Sequence, residues 1–202
     1  TEEDATLTEI NPLIVTPDRN VKALDAKVTL DDNALFRHEE SKAFTVKGAV
    51  DPVEERAKAL GLQYVALDGD IGIMGNGAGL AMSTLDVVAQ AGGSPANFLD
   101  AAGGANAEVI KTGVETILSN PKVKAVLLNI FGGITRCDEV ARGVLGAFAE
   151  IETDIPFVVR LDGTNDVEGR RILAEANIPN VHPAATMNEA AEKVVALAKE
   201  RS

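Results

Sequence analysis

The sequence predicts an α/β protein in which a doubly wound parallel sheet follows a shorter segment of strands. From Asp51 onward, short apolar runs alternate with stretches whose apolar residues recur at helical spacing. Repeated strand–helix units of this kind form parallel sheets with helices on both faces. Residues 1–50 contain strand-like runs and turn formers without a long helical pattern, so a domain boundary is predicted near Val50-Asp51-Pro52.

Composition and charge narrow the possible functions. The 202 residues are 46% hydrophobic without a long unbroken apolar run, and the formal net charge is −12, which predicts a soluble globular protein. Nucleic acids and anionic membranes require concentrated Lys and Arg, so neither is expected as a partner. The single cysteine, Cys137, suits a reducing compartment. The chain opens on Thr1 rather than Met and enters a strand-like run at once, so we expect a fragment whose upstream part is missing.

The first two strand-like runs are expected to pair as an antiparallel hairpin. Residues 7–15 and 21–30 flank residues 16–20, a stretch rich in turn formers. If the turn centres on Asp18, residues whose numbers sum to 36 face each other.

This register places oxygen-bearing side chains together. Asn11 then lies opposite Asp25, with β-carbons about 5 Å apart, a spacing that fits ligation of Mg²⁺ by an amide and a carboxylate oxygen. Glu9 would lie on the same face, opposite Lys27. The alternative is an exposed polar face with an ordinary Glu9–Lys27 ion pair.

The second segment is predicted to hold five strands in one parallel sheet. The strands are residues 63–67, 96–99, 123–130, 156–161 and 180–182. Helical stripes lie between or after them, at Ile110, Val114, Ile117 and Leu118, within residues 138–148, and at Ala190, Val194, Leu197 and Ala198. Ligands of such sheets bind at the carboxyl ends of the strands.

Residues 129–138 turn an apolar strand into a helix through Gly132 and Gly133. The first amides of a helix have no internal partner and carry the positive end of its dipole, so a phosphate or carboxylate can dock there. The alternative is a self-sufficient helix start in which Thr135 and Asp138 provide the cap.

Further glycines follow the first two predicted strands, in Gly75-Asn76-Gly77-Ala78-Gly79 and Gly103-Gly104. A dinucleotide-binding fingerprint would require a third glycine or alanine at Leu80, so that function is not predicted. The amide of Asn76 offers both a donor and an acceptor beside a helix start, as the orientation of a carboxylate requires. Helix capping by Asn76 is the alternative.

Six motifs, in this order, resemble the β subunits of succinyl-CoA synthetases. They are Glu9-Ile10-Asn11-Pro12-Leu13, Leu24-Asp25-Ala26-Lys27, Asp32-Asn33-Ala34-Leu35-Phe36-Arg37, Asn76-Gly77-Ala78-Gly79-Leu80-Ala81-Met82, Pro95-Ala96-Asn97-Phe98-Leu99-Asp100 and Asn129-Ile130-Phe131-Gly132-Gly133-Ile134. The resemblance spans nearly the whole chain. It implies that residues 1–50 are the last part of an ATP-grasp domain and that residues 51–202 are a flavodoxin-like CoA-ligase domain.

The resemblance also implies an activity and a partner. The family makes succinyl-CoA from succinate, CoA and ATP or GTP, through a phosphohistidine on the α subunit and a succinyl-phosphate intermediate. Neither His38 nor His182 matches that histidine. The CoA site is expected on the α subunit and most of the nucleotide site in the missing N-terminal region, so the chain is expected to act only within an α/β complex. The bacterial or archaeal cytoplasm and the mitochondrial matrix both fit.

Site residues carry over by position. Asn11 and Asp25 match the family's magnesium ligands, and Glu9 matches a glutamate that assists the phosphohistidine at the ATP-grasp site. The positions that hold the dicarboxylate are matched by Asn76, Gly133, Ile134 and Thr135.

The resemblance further implies that the helix after Gly133 aims its N-terminus at the phosphohistidine. Thr135 stands where several family members have an aliphatic residue, and Gly75 where many have valine. Both flank the carboxylate site, so a malate–CoA ligase β subunit is an alternative. A non-catalytic domain that only docks the α subunit is the other.

Overall fold

The computed structural model of this protein describes residues 2–44, 51–101 and 107–201. Two compact units divide the chain, Thr1–Ala49 and Val50–Ser202. The predicted glycine turn Gly103-Gly104 lies outside the described residues. Among those residues, no helix combines the length and the hydrophobicity that crossing a bilayer requires.

The first unit contains two short antiparallel strand pairs followed by two 3₁₀ helices. Apart from a shift between Ala5 and Leu7, every paired couple has residue numbers that sum to 36, and Glu9 faces Lys27. The predicted hairpin register is therefore confirmed. The strands are β1 (Ala5–Ile10), β2 (Leu13–Val15), β3 (Val21–Ala23) and β4 (Ala26–Leu30), with β1 paired to β4 and β2 to β3, and the 3₁₀ helices are Asp32–Arg37 and Glu39–Phe44.

Strands and helices alternate along the described part of the second unit, except that its first two strands follow one another directly. The helices are α1 (Pro52–Ala59), α2 (Ala78–Gln90), α3 (Ala107–Leu118), α4 (Cys137–Glu150), α5 (Asp166–Ala176) and α6 (Met187–Glu200). The strands are β5 (Gln63–Ala66), β6 (Ile71–Gly75), β7 (Asn97–Asp100), β8 (Ala125–Gly132), β9 (Phe157–Gly163) and β10 (Val181–Ala184).

These strands form one mixed sheet in the order β10-β9-β8-β6-β7-β5. The neighbours from β10 to β7 are parallel, which confirms the doubly wound α/β prediction. Strand β5 runs antiparallel to β7 at the sheet edge, so the prediction that residues 63–67 form the first parallel strand was wrong.

The first parallel strand is β6, which the sequence prediction missed. Its sequence, IGIMG, has two glycines in five residues, a composition that is depleted in strands. In the fold all five residues are buried, and a Cβ at Gly72 would lie 2.3 Å from Cγ2 of Ile117. Close packing of α3 on this strand therefore requires a residue without a side chain.

Apolar side chains cover both faces of the sheet. Residues of α3, α4 and α5 form the core on one face, and residues of α2 and α6 form the core on the other. The large side chains Leu127, Leu128 and Phe157 are fully buried, and each contributes about 1.5–3 kcal/mol of transfer free energy. From β6 the chain goes to β7 on one side and then to β8 on the other, so the switch point lies between β6 and β8.

Candidate functional site

The loops that follow β6 and β8 meet at this switch point. Gly75, the last residue of β6, pairs in register with Asn129 of β8, and the loops that follow begin at Asn76 and Gly133. The topology thus brings the predicted substrate-binding residues Asn76 and 133–135 to the same stretch of the sheet's carboxyl edge.

Asn76 connects the two loops directly. Its Nδ2 donates to the carbonyl oxygen of Phe131 and its Oδ1 accepts from the Phe131 N–H, both at 2.8 Å. The side chain thus substitutes for a strand residue. A primary amide has two N–H groups and two acceptor lone pairs, and this clamp uses one of each. The predicted carboxylate contact is therefore compatible with a second role that holds the loop.

Helix α2 begins without a side-chain cap. Its N-cap residue is Gly77, with φ of 132°, and the Gly77 N–H donates to Oδ1 of Asp100 at 2.7 Å. The alternative in which Asn76 caps this helix was wrong. A Cβ at Gly77 or Gly79 would meet nothing within 4 Å, so the helix start is open.

Gly132, which ends β8, and Gly133, which follows it, differ in their surroundings. A Cβ at Gly132 would lie 2.7 Å from the Thr164 nitrogen and 2.9 Å from Sγ of Cys137. A Cβ at Gly133 would meet nothing within 4 Å. Gly132 is therefore required for packing against the loop after β9, whereas Gly133 leaves the backbone open to an approaching ligand.

Helix α4 also begins without a side-chain cap from its N-cap residue, which is Arg136. The Cys137 N–H donates to the Thr164 carbonyl at 2.9 Å, and the next amides have no intrahelical acceptor. Thr135 is nearly buried beside this start, at 9% exposure. A helix start of this kind can accept an anion, and anion binding here stays a prediction.

Asp138 takes no part in the capping arrangement that was the alternative for this turn. Its carboxylate accepts from Arg136 at 3.1 and 3.2 Å, from Nδ2 of Asn165 at 3.0 Å and from Nη1 of Arg142 at 3.1 Å. These donors, Arg136 above all, hold the pKa of Asp138 well below its usual range. The carboxylate fixes the start of α4 against the loop before α5.

Asp138→Asn is expected to lower the melting temperature at pH 7. Because the pKa of Asp138 is depressed in the folded state, its stabilisation is complete above the unfolded pKa of about 4 and is lost as the pH falls towards the folded value. Thermal unfolding followed at pH 7, 5 and 3 should therefore show the variant and the wild type converging in acid. Asp154→Asn, which removes an exposed partner of Arg201, is the control and should have a smaller effect. An offset for Asp138→Asn that is equal at all three pH values would contradict this account.

Large apolar side chains are exposed at the same carboxyl edge. Ile134 is 99% exposed, and exposed apolar side chains also come from the end of β8 and from the first turns of α2 and α5. We call this set the apolar rim; its members are Met82, Phe131, Ile134 and Val167. Apolar groups gathered in this way are typical of a surface that another protein covers.

The predicted metal site lies in the first unit. Asn11 and Asp25 are opposed, with the Asn11 N–H donating to the Asp25 carbonyl at 3.3 Å, and both residues are exposed. Oδ1 of Asp25 accepts from the Ala26 N–H at 2.9 Å. A carboxylate and an amide oxygen fit the donor preference of Mg²⁺. Metal binding here, and the catalytic role of Glu9, stay predictions.

Sequence reasoning missed two polar residues of the sheet. Asn129 is fully buried in β8, and Arg160 is 8% exposed in β9. Each lies inside a run that is otherwise apolar, and this is a signal that the sequence offered. Arg160 pairs with Asn129 across the sheet, and Asn129 pairs with Thr84 of a distant helix, which no local pattern indicates.

Comparison with known proteins places this geometry in a family. Residues 74–195, which include the switch point and the starts of α2, α4, α5 and α6, match the family model described as CoA-ligase. The chain belongs to the CoA-ligase family. The matched residues lie within the second unit.

Two curated relatives cover nearly all of this chain. The succinate–CoA ligase [ADP-forming] subunit beta of Rubrobacter xylanophilus is 59% identical over 197 residues, which are 98% of this chain and 51% of that protein. The protein of the same name from Roseiflexus sp. (strain RS-1) is 55% identical over 98% of this chain and 52% of its own length. This chain therefore spans about half the length of the curated relatives it matches.

Solved structures share the fold of this chain at low sequence identity. An ATP citrate lyase from Methanothrix soehngenii, in complex with citrate and coenzyme A, has a TM-score of 0.73 at 23% identity and covers 98% of this chain and 55% of that one. A dinucleotide-forming acetyl-coenzyme A synthetase from Ca. Korarchaeum cryptofilum has a TM-score of 0.55 at 21% identity, with coverage of 68% and 34%.

Proposed function

We propose that this chain is the C-terminal part of a succinate–CoA ligase β subunit. The reaction converts succinate, CoA and ATP into succinyl-CoA, ADP and phosphate. One arrangement carries the proposal: the amide of Asn76 is clamped to Phe131 beside the open, glycine-bordered start of α4. The names of the two relatives support succinate as the acid and ADP as the nucleotide product.

In this proposal the switch point binds the acid and the group that activates it. Asn76 and residues 133–135 hold the dicarboxylate, with the open backbone at Gly133 allowing close approach. The first amides of α4 stabilise the transferable phosphoryl group, which a partner histidine carries. Fixed amide dipoles provide this stabilisation without a cation that would have to be displaced.

The first unit contributes to nucleotide chemistry. Asn11 and Asp25 would hold Mg²⁺, which when bound neutralises charge on the triphosphate. Glu9 lies two residues before Asn11 in the opposed strand pair and would assist the histidine during its phosphorylation. We infer that the domain to which residues 1–50 belong is an ATP-grasp domain, most of whose nucleotide-binding groups lie outside this chain.

The apolar rim is the surface on which we place the α subunit. Exposed Met82, Phe131, Ile134 and Val167 lie at the edge where a partner would have to present its histidine and CoA. Activity is thus expected only in the α/β complex. The cytoplasm of a bacterium or archaeon and the mitochondrial matrix are the compartments that fit this proposal.

The test is acyl-CoA formation by the intact parent β chain co-purified with its α subunit. Succinate and malate are offered in parallel, with magnesium and either ATP or GTP. Turnover with succinate and ATP, absent from either subunit alone, is expected. Turnover with malate only would move the chain to a malate–CoA ligase, and complex formation without any turnover would favour a docking domain.

A further inference from the structure

A chain of buried side-chain hydrogen bonds crosses the sheet just below the switch point. Nη1 of Arg160 donates to Oδ1 of Asn129 at 3.1 Å, and Nδ2 of Asn129 donates to Oγ1 of Thr84 at 2.7 Å. The Thr84 hydroxyl in turn donates to the Leu80 carbonyl at 2.7 Å. Asn129 and Thr84 are fully buried. We call these four residues the Arg160 chain; it connects β9, β8 and α2.

The direction of every bond in the Arg160 chain follows from its first member. A guanidinium can only donate, so Asn129 must turn its oxygen towards Arg160 and its nitrogen towards Thr84. The Thr84 oxygen then accepts, and its single proton is committed to Leu80. The Asn129 amide has one favourable orientation, so the chain specifies a single arrangement of the strands and α2.

Stability alone does not explain why an arginine occupies the nearly buried position 160 of β9. The residue is 8% exposed, its guanidinium pairs with the carboxylate of Asp162, and its Nε has no hydrogen-bond partner among the residues that the structure describes. A buried cation with an unpaired donor is costly, and an apolar side chain of similar volume would often be at least as stable. A role in the site is the better physical explanation.

The Arg160 chain lies in contact with both sides of the switch point. Asn129 pairs in register with Gly75, the residue before the Asn76 clamp. Leu80 and Thr84 lie in the first two turns of α2, and a Cβ at Gly75 would lie 3.2 Å from the backbone of Ala81 in the same helix. The distance between the start of α2 and the end of β8 therefore depends on these bonds.

We infer that Arg160 is a positioning residue for the acid-binding site and acts through Asn129 and Thr84. The inference rests on the proposed function, since it concerns the same site. When the hydrogen bonds of the Arg160 chain are lost, the Asn129 amide is free to turn and α2 is free to shift. Both changes misplace Asn76 relative to the start of α4. The nucleotide-binding groups are independent of it.

The first test uses Thr84 in the assembled α/β complex. Thr84→Val keeps the volume but leaves Nδ2 of Asn129 unpaired, and it is expected to raise the KM for succinate about tenfold. The KM for ATP should not change. Thr84→Ser keeps the hydroxyl and should restore the wild-type KM.

Thr116→Val is the matched control. The Thr116 hydroxyl is equally buried and donates to the Thr112 carbonyl at the same 2.7 Å, within α3 and away from the Arg160 chain. A general effect of losing a buried helix hydroxyl would appear in both valine variants. An equal KM for succinate in Thr84→Val and Thr116→Val would overturn the inference.

Arg160 is tested by Arg160→Met alone and combined with Thr84→Val. Each substitution interrupts the same series of hydrogen bonds. The double variant should therefore raise the KM for succinate no further than either single variant. The inference would be overturned if the fold-increases in the KM for succinate multiplied in the double variant. An equal rise in the KM for ATP would overturn it as well. If Arg160→Met does not fold, the Thr84 series decides. Wild-type turnover is measured first: its absence would overturn the proposed function as well, whereas wild-type activity with unaltered variants would overturn only the inference.

Discussion

Replacement of Gly163 by alanine is expected to lower the free energy of unfolding by at least about 3 kcal/mol. Gly163 ends β9 with φ of +93°, a backbone conformation that residues with a side chain rarely adopt. A Cβ there would also lie 2.2 Å from the carbonyl oxygen of Gly132, which accepts the Thr164 N–H at 2.9 Å. The substitution therefore combines strain with a backbone clash against the end of β8. Urea unfolding of the chain gives the measurement.

Gly61→Ala separates the two contributions. Gly61 has φ of +78° but a Cβ there would meet nothing within 4 Å, so it should cost only about 1 kcal/mol from strain. If the alanine variants of Gly61 and Gly163 lost the same free energy of unfolding, the close approach of β8 and β9 would contribute nothing to the effect at Gly163. Gly133→Ala, which is neither strained nor crowded, should leave stability unchanged and impair only acid binding.

Asn76→Ala is expected to reduce kcat/KM for succinate by about 100-fold in the α/β complex, since loss of positioning near a reacting group has effects of this size. The variant removes both hydrogen bonds to Phe131 and any contact to the carboxylate. Asn76→Asp should reduce kcat/KM for succinate as much. A carboxylate repels the Phe131 carbonyl oxygen, to which the amide donates, and it also repels an anionic substrate. Steady-state kinetics with varied succinate and saturating ATP and CoA provide the measurement.

Asn180→Ala is the matched control for Asn76. Nδ2 of Asn180 donates to the carbonyls of Thr153 and Ile155, before β9 begins and thus at the opposite edge of the sheet. Asn180→Ala should lower the free energy of unfolding about as much as Asn76→Ala does, by about 1–2 kcal/mol. It should leave the KM for succinate unchanged. Unchanged kinetics in Asn76→Ala, with the complex intact, would refute the assignment of this residue.

Much of the fold was predictable because its signals are local. The hairpin register followed from one turn and from the two-residue period of strands, and every described pair from Leu7 to Val15 obeys it. The parallel sheet followed from apolar runs that alternate with helical stripes. The start of α4 was predicted within one residue, since two glycines after a buried strand mark the turn.

The arrangement of the candidate site was predicted in part. The sequence indicated Asn76, Gly133, Ile134 and Thr135, and the topology brings them to one edge. It did not indicate that Asn76 clamps Phe131, 55 residues away, or that Arg160 reaches α2 through Asn129. Composition also argued against β6, although its Gly72 is what allows α3 to pack there.

The sequence by itself determined the α/β class, most of the parallel strands, the hairpin register and the glycines that border the predicted anion site. The tertiary structure decided the antiparallel edge strand, the existence of β6 and the bonds that join Asn76, Asn129 and Arg160 to their partners. The physical reason is the range of the interactions. Turn preferences and periodicity act between residues close in the chain, whereas tight glycine contacts and buried hydrogen bonds depend on neighbours that only the completed sheet brings together.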